Sequence, residues 1–249
     1  MPLILTFFAV PGQFEPRTYA WFGIEHSSWL LAMTFLGIIA AIYYRKLERY
    51  KQISFLKIFA SCIVFSEVAR QLIYLLQGAY RIDYLPLHLC AVTELFCFLY
   101  AFRRDKLSRE FLYWLGLPGA LSALLFADWL WFPLWNFQSI QSFFVHGAMS
   151  VFAVLLLVSG ESKPSLKGWP STFAIASLFA LPLFFLNKLW GTNFFFLNTP
   201  SPGSPLVILE EIAGNPGYIG LLLVLVLVVW ILMALPWLLV KQPRTKKIA

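Results

Sequence analysis

Charge is scarce in this sequence. Only 12% of its 249 residues are Asp, Glu, Lys or Arg, about half the share of an ordinary soluble domain. Apolar residues reach 60% and aromatics 18%, more than one core of this size can hide. The surplus apolar surface must face lipid, which excludes a disordered chain and an ordinary soluble enzyme. Cysteine is also scarce. Cys62, Cys90 and Cys97 are odd in number and lie inside apolar segments, so the chain lacks the even-numbered framework of an exported disulfide domain. The opening MPLILTFFAV has no charged n-region and no clean cleavage site after it, so no removed signal peptide is expected. No HExxH pattern occurs, and no lysine falls within the last apolar stretch, the first being Lys241. The first absence removes the common zinc-protease helix. The second removes the retinal pigments, which need a lysine there. Without a convincing internal repeat, an inverted-repeat transporter is also disfavoured.

What the sequence does have is long apolar runs. A helix needs about 20 apolar residues to cross the hydrocarbon core, and seven stretches qualify: approximately 27–44, 54–77, 84–102, 109–126, 138–159, 170–190 and 217–240. The expected fold is therefore all-α, a single polytopic membrane domain over 1–249 with seven transmembrane helices. Basic residues fix its orientation. Arg45, Lys46, Arg49 and Lys51 fall in the first connection, and Arg103, Arg104, Lys106 and Arg109 in the third. Lys163 and Lys167 fall in the fifth, and Lys241, Arg244, Lys246 and Lys247 in the tail. The other side has Arg17, Arg81 and Lys188. By the positive-inside rule the N-terminus is outside and the C-terminus cytoplasmic. The net charge of +7 thus serves topology, and no nucleic-acid partner is expected. Membrane phospholipids are the expected partners.

The connections expected outside have their own character. The fourth, ADWLWFPLWNF, is Trp-rich, as suits side chains resting at headgroups. The sixth is long, and in it Ser204, Pro205 and Gly214 read as N-cap, first-turn Pro and terminal Gly of a short helix LVILEEIA. That loop either lies over the mouth of a cavity or is a plain interfacial linker.

Polar residues inside a span are costly and are functional candidates by default. Glu67, Arg70, Gln71 and Tyr74 follow i, i+3, i+4, i+7, one helical stripe. The third span carries His88, Cys90 and Glu94, and the fifth carries Gln138, Gln141, Ser142 and His146. Asn187 ends the sixth. With a rise of about 1.5 Å per residue, Arg70 and Glu94 both lie about 15 Å below the outer boundary, with His146 at a similar level. The plain reading is an Arg70 pair with Glu67 or Glu94 that holds helices together. The chemical reading makes Cys90 a nucleophile whose thiolate is favoured by His146 or His88. Zinc on His88, Cys90, Glu94 and His146 competes with it, but His88 and Cys90 would point about 200° apart on an ideal helix. No metal and no cofactor are therefore expected.

Three motifs point further. LPLHLCAV (85–92), QSFFVHG (141–147) and NFFFLNTPSPGSPLVIL (193–209) followed by NPGYIG (215–220) resemble the YwaF / transmembrane protein 164 family, in its bacterial YwaF-like branch. The resemblance implies a seven-helix protein of the cell membrane, the bacterial cytoplasmic membrane for that branch. Its animal branch is a lipid acyltransferase that remodels ether phosphatidylethanolamines at a cysteine-centred site. The fold is thought related to that of the androgen-induced-gene lipid hydrolases, which pair a Thr with a His. Carried over, His146 in FVHG matches the family's base and His88 the histidine of its third helix. In the animal branch a Cys directly precedes that histidine, whereas Leu87 stands there in this chain and Cys90 must serve from two positions after it. The expected activity is a lipid acyltransferase or lipid hydrolase with Cys90, His146 and His88 at its centre. Glu67, Arg70, Gln71, Tyr74, Glu94, Gln141, Ser142 and Asn187 would hold substrate. The alternative is a non-enzymatic carrier or binder of lipid or small solutes in the same cavity.

Overall fold

The computed structural model describes residues 6–16 and 18–239. Arg17, the basic tail residues Lys241, Arg244, Lys246 and Lys247, and half of the opening apolar run lie outside the described residues. The described chain is all-helical, without strands. Its helices are α1 (Ile24–Lys46), α2 (Arg49–Leu76), α3 (Leu89–Arg103), α4 (Lys106–Phe111), α5 (Leu117–Leu125), α6 (Phe137–Val158), α7 (Trp169–Trp190), α8 (Leu206–Ala213) and α9 (Tyr218–Leu239).

Six helical stretches among these residues are long and apolar enough to cross a membrane: Ile24–Lys46, Arg49–Leu76, Ile82–Arg103, Phe137–Val158, Leu166–Trp190 and Tyr218–Leu239. The stretch expected over 109–126 is helical but not uniform. α4 passes through a π-turn, Leu112–Gly116, into α5, and the Leu117 N–H bonds back to the Leu112 carbonyl. Pro118 accounts for the widening. It has no N–H for the carbonyl four residues earlier, and its ring displaces that carbonyl.

Pro86 has a similar effect on the third stretch. Leu85 is extended (φ −54°, ψ 140°), as a residue before proline tends to be. A 3-10 turn, Ile82–Tyr84, is followed by non-helical chain, and α3 starts only at Leu89, with His88 as its N-cap residue. The expected unbroken helix from residue 84 is thus corrected to one that starts at Leu89. Glu94 stands about 8 Å into α3, and Arg70 about 9 Å from the end of α2. The two are thus at similar distances from the helix ends that carry them.

α6 is the axis of the bundle. Phe143, Met149, Phe152, Leu155 and Leu156 are almost wholly buried, and small residues let α1 come close. A Cβ on Gly147 would lie 2.8 Å from the Met33 sulfur, and one on Gly37 would lie 2.9 Å from Val151. α1 and α9 turn the other way. Leu31, Phe35, Ile38, Leu223, Val224 and Leu232 are exposed, an apolar surface that suits lipid.

Beyond α6, Glu161 gathers the helix ends at one pole of the bundle. Its carboxylate accepts hydrogen bonds from Tyr44 Oη at 3.1 Å, Arg49 Nη1 at 2.5 Å, Tyr100 Oη at 2.7 Å and Arg104 Nη1. Its carbonyl accepts from Arg109 Nη1 at 3.0 Å. One loop residue thus ties the ends of α1, α2, α3 and α4. Burial pushes the Glu161 carboxyl up, but the bonds from Tyr100 and Arg49 and the Arg104 charge outweigh it, holding the group below its ordinary range.

Candidate functional site

At the opposite pole, Glu67 is the centre of the α2 stripe. Arg70 donates to it twice, Nε to Oε2 at 2.7 Å and Nη2 to Oε1 at 2.5 Å. Gln71 Nε2 donates to Oε1 at 2.6 Å and also to the Tyr84 carbonyl at 2.7 Å. Gln141 Nε2 reaches from α6 at 3.5 Å, the longest and weakest of the set. Of the two partners considered for Arg70, the structure selects Glu67. Tyr74 does not join this network. Its ring lies 4.2 Å from that of Tyr84, and with Arg70 it borders a small pocket under Phe8, Ala9 and Val10. That N-terminal segment is held by Asn136, whose Nδ2 donates to the Thr6 and Ala9 carbonyls at 2.9 Å each. Gln77 Nε2 adds a bond to the Phe8 carbonyl at 2.7 Å.

His146 sits on the same side of α6 as Ser142. Its Nδ1 lies 2.7 Å from the Ser142 carbonyl, and a carbonyl only accepts. The proton of the neutral ring is therefore on Nδ1, leaving the Nε2 lone pair as the basic position. Trp129 stacks on the imidazole at 4.9 Å and 11°. His26 is the contrast. Its Nδ1 accepts from the Phe22 N–H at 2.9 Å and its Nε2 donates to the Leu124 carbonyl at 2.8 Å. Both of its nitrogens are committed to the fold.

His88, Cys90 and Glu94 follow one another at the start of α3. Cys90 lies in electrostatic range of Glu94, Glu67 and Arg70, and both His88 and His146 lie in range of Arg70 and Glu67. The polar residues of α2, α3 and α6 thus form one neighbourhood. Among the described residues, no hydrogen bond joins Cys90 to either histidine, and no three His, Cys, Asp or Glu side chains converge to hold a metal. Glu94 is 4% exposed and has no hydrogen bond to its carboxyl from the described residues.

The long loop after α7 does cover part of this region. The Phe194 and Phe196 rings lie 5.1 and 5.8 Å from the His88 ring. Asn187 builds that cover. Fully buried, it accepts from Thr192 Oγ1 and the Phe194 N–H at 2.9 Å each and donates to the Phe194 carbonyl at 2.8 Å. It acts on the loop, apart from the Glu67 network. Farther along, Leu206–Ala213 forms the expected short helix. The Leu206 N–H donates to Ser204 Oγ at 3.3 Å, and Gly214 ends the helix at φ +67°. Tyr218 of NPGYIG then donates its hydroxyl to the Phe196 carbonyl, joining two of the sequence motifs in space.

With this arrangement established, the TMEM164 family model matches residues 21–234. The chain belongs to the TMEM164 family. The match spans every motif read from the sequence, from the Glu67 stripe to NPGYIG. No curated protein and no solved structure matches this TMEM164-family chain. It is a membrane protein of several apolar helices.

Two contributors have no clear signal in the sequence. Trp129 belongs to a Trp-rich connection that reads as a set of headgroup anchors, yet it is 7% exposed and turned inward onto His146. Glu161 carries no motif. Its one signal is being the acidic residue of a connection whose other charges, Lys163 and Lys167, are basic.

Proposed function

We propose that this chain is a membrane-embedded lipid acyltransferase or lipid hydrolase, with Cys90 as nucleophile and His146 as general base. The observation that carries this reading is the His146 Nδ1 contact with the Ser142 carbonyl, which presents Nε2 as a proton acceptor beside buried polar groups. In the first step Nε2 takes the Cys90 thiol proton, and the thiolate attacks a lipid ester carbonyl. A thioester forms as the ester C–O bond breaks, and His146 returns the proton to the departing alkoxide. In the second step a hydroxyl or water attacks the thioester. It gives up its proton through His146, yielding a new ester or a free acid and restoring the thiol. Cys90 and His146 need the substrate to complete their geometry, since catalytic hydrogen bonds are often long before it binds. Arg70 is already held by Glu67, so Gln141, with one weak bond at 3.5 Å, is the freest donor for an oxyanion or headgroup. His88 stands at the mouth beside Phe194 and Phe196.

The α4–π–α5 stretch supplies a seventh crossing in this reading, with the N-terminus outside and the C-terminus in the cytoplasm of a bacterial cell. The site then opens toward the outer leaflet. Labelling by a fluorophosphonate or a thiol-directed lipid electrophile should be lost in both Cys90→Ala and His146→Ala. Undiminished labelling of both overturns the assignment.

A second reading rests on the missing Cys90–histidine hydrogen bond and on the Glu67–Arg70 closure. In it the same cavity recognises a lipid or small solute without turnover. Bound lipid in the purified protein, no turnover, and full tolerance of Cys90→Ser would favour that reading.

A further inference from the structure

The pole tied by Glu161 contains more positive charge than the carboxylate neutralises. Arg49, Arg104 and Arg109 all bond to Glu161, leaving an excess of two positive charges at that point. The way each guanidinium is used matters more than the sum. Arg104 spends Nη1 on Glu161 and has the Tyr100 hydroxyl as a neighbour, while its Nε and Nη2 are buried without a well-formed hydrogen bond. Those two nitrogens form the side-on edge of the guanidinium, whose parallel N–H groups match two oxygens of one oxyanion. Arg109 spends Nη1 on the Glu161 carbonyl, and its Nε is likewise buried and unpartnered.

Neighbouring acids do not supply the missing acceptor. Asp105 is taken by the Ser108 N–H and hydroxyl at 2.8 Å each, and Glu110 accepts from the Trp114 indole at 3.0 Å. Buried charged donors left unpaired are strongly disfavoured. Arg104 is also held in a left-handed conformation (φ 56°) that non-glycine residues seldom adopt. Its guanidinium lies 5.4 Å from the centre of the Tyr100 ring.

We propose that Arg104 and Arg109, backed by Arg49, bind a phosphate group at the pole of the bundle opposite Glu67, Arg104 gripping two of its oxygens through Nε and Nη2. A phosphate offers acceptors to the idle donors and offsets the excess charge. Its source is either the headgroup of an anionic phospholipid or a free phosphate. This site does not depend on the acyl-transfer reading.

The test uses the full chain in neutral detergent at constant ionic strength. Inorganic phosphate and phosphatidylglycerol micelles are the probes, against chloride and phosphatidylcholine controls. Either probe should raise the unfolding temperature. Arg104→Lys keeps the charge but loses the two-pronged edge, and should bind roughly tenfold more weakly. A response to phosphatidylglycerol alone identifies a lipid headgroup; a response to inorganic phosphate as well identifies the phosphate group itself. Absence of any rise with both probes overturns the proposal, as does undiminished affinity in Arg104→Lys. Should that variant fail to fold, Arg109→Lys takes its place, with phosphorus-NMR line broadening on the wild-type chain as a measurement that needs no variant. Unaltered linewidths there overturn it equally.

Discussion

Glu67 and Arg70 meet edge to edge, Nε on Oε2 at 2.7 Å and Nη2 on Oε1 at 2.5 Å, within a single helix. Their side chains are 12% and 16% exposed, so each charge depends on the other. Removing one leaves the other buried alone, whereas removing both leaves no orphan. Arg70→Met or Glu67→Gln should each cost about 3 kcal/mol of stability, and the double variant less than the sum of the two. Thermal unfolding in detergent of the four chains checks this. Strict additivity would show that the pair is not energetically coupled.

The loop over His88 depends on one amide. Asn187→Ala removes three hydrogen bonds made by a fully buried side chain, a loss of about 2 kcal/mol or more. Hydrogen exchange should accelerate over residues 192–198 and stay slow in α6. Equal protection of the loop in both chains would contradict this role.

Glu161 should make stability depend on acid. Its folded pKa lies below the ordinary value, so its contribution is complete above the unfolded pKa of about 4.3 and is lost as pH falls through the folded value. Glu161→Gln should therefore unfold at lower temperature than wild type at pH 7. The gap should close as pH drops below about 4. A gap that stays constant with pH would assign the loss to packing instead.

Gly217 in NPGYIG is a packing glycine. A Cβ there would press into the Ala213 carbonyl oxygen, and backbone cannot swing aside as a side chain can. Gly217→Ala should destabilise the chain by about 1–3 kcal/mol and weaken the Tyr218 contact with the Phe196 carbonyl. Gly147→Ala meets the flexible side chain of Met33 first and should cost less. Unfolding temperatures of the two variants decide the order.

Trp129 should matter to His146 through its ring. Trp129→Ala removes the face that holds the imidazole and should lower both stability and His146-dependent labelling. Trp129→Phe, which keeps a ring, should retain most of both. Equal loss in the two variants would point away from stacking.

Helical periodicity makes the stripe of Glu67, Arg70, Gln71 and Tyr74 legible in the sequence itself, because i, i+3, i+4, i+7 fixes a face. Apolar run length likewise reveals the six long helices, and the Ser-Pro start and Gly214 stop reveal the short one. Periodicity does not say which acid Arg70 chooses, since Glu67 lies one turn away on its own helix and Glu94 lies level with it on α3. Trp129 reaches His146, and Glu161 reaches Tyr44 and Arg49, across contacts remote in sequence, and a local pattern does not encode such distances. Pro86 marks a distortion of its turn, but only the backbone shows that α3 is delayed to Leu89.

The Glu161 knot gives the bundle a mechanical polarity. Helices tied together at one end spread most easily at the other, as the blades of tongs move about their joint. Here the opposite ends, those of α2, α3 and α6 that carry Arg70, His88 and His146, are joined more loosely, by the weak Gln141–Glu67 contact and the Gln71 bond to the Tyr84 carbonyl. A splay about the knot that made room for a guest molecule between them would have to break the 3.5 Å Gln141–Glu67 contact first, while the tied ends stayed almost still.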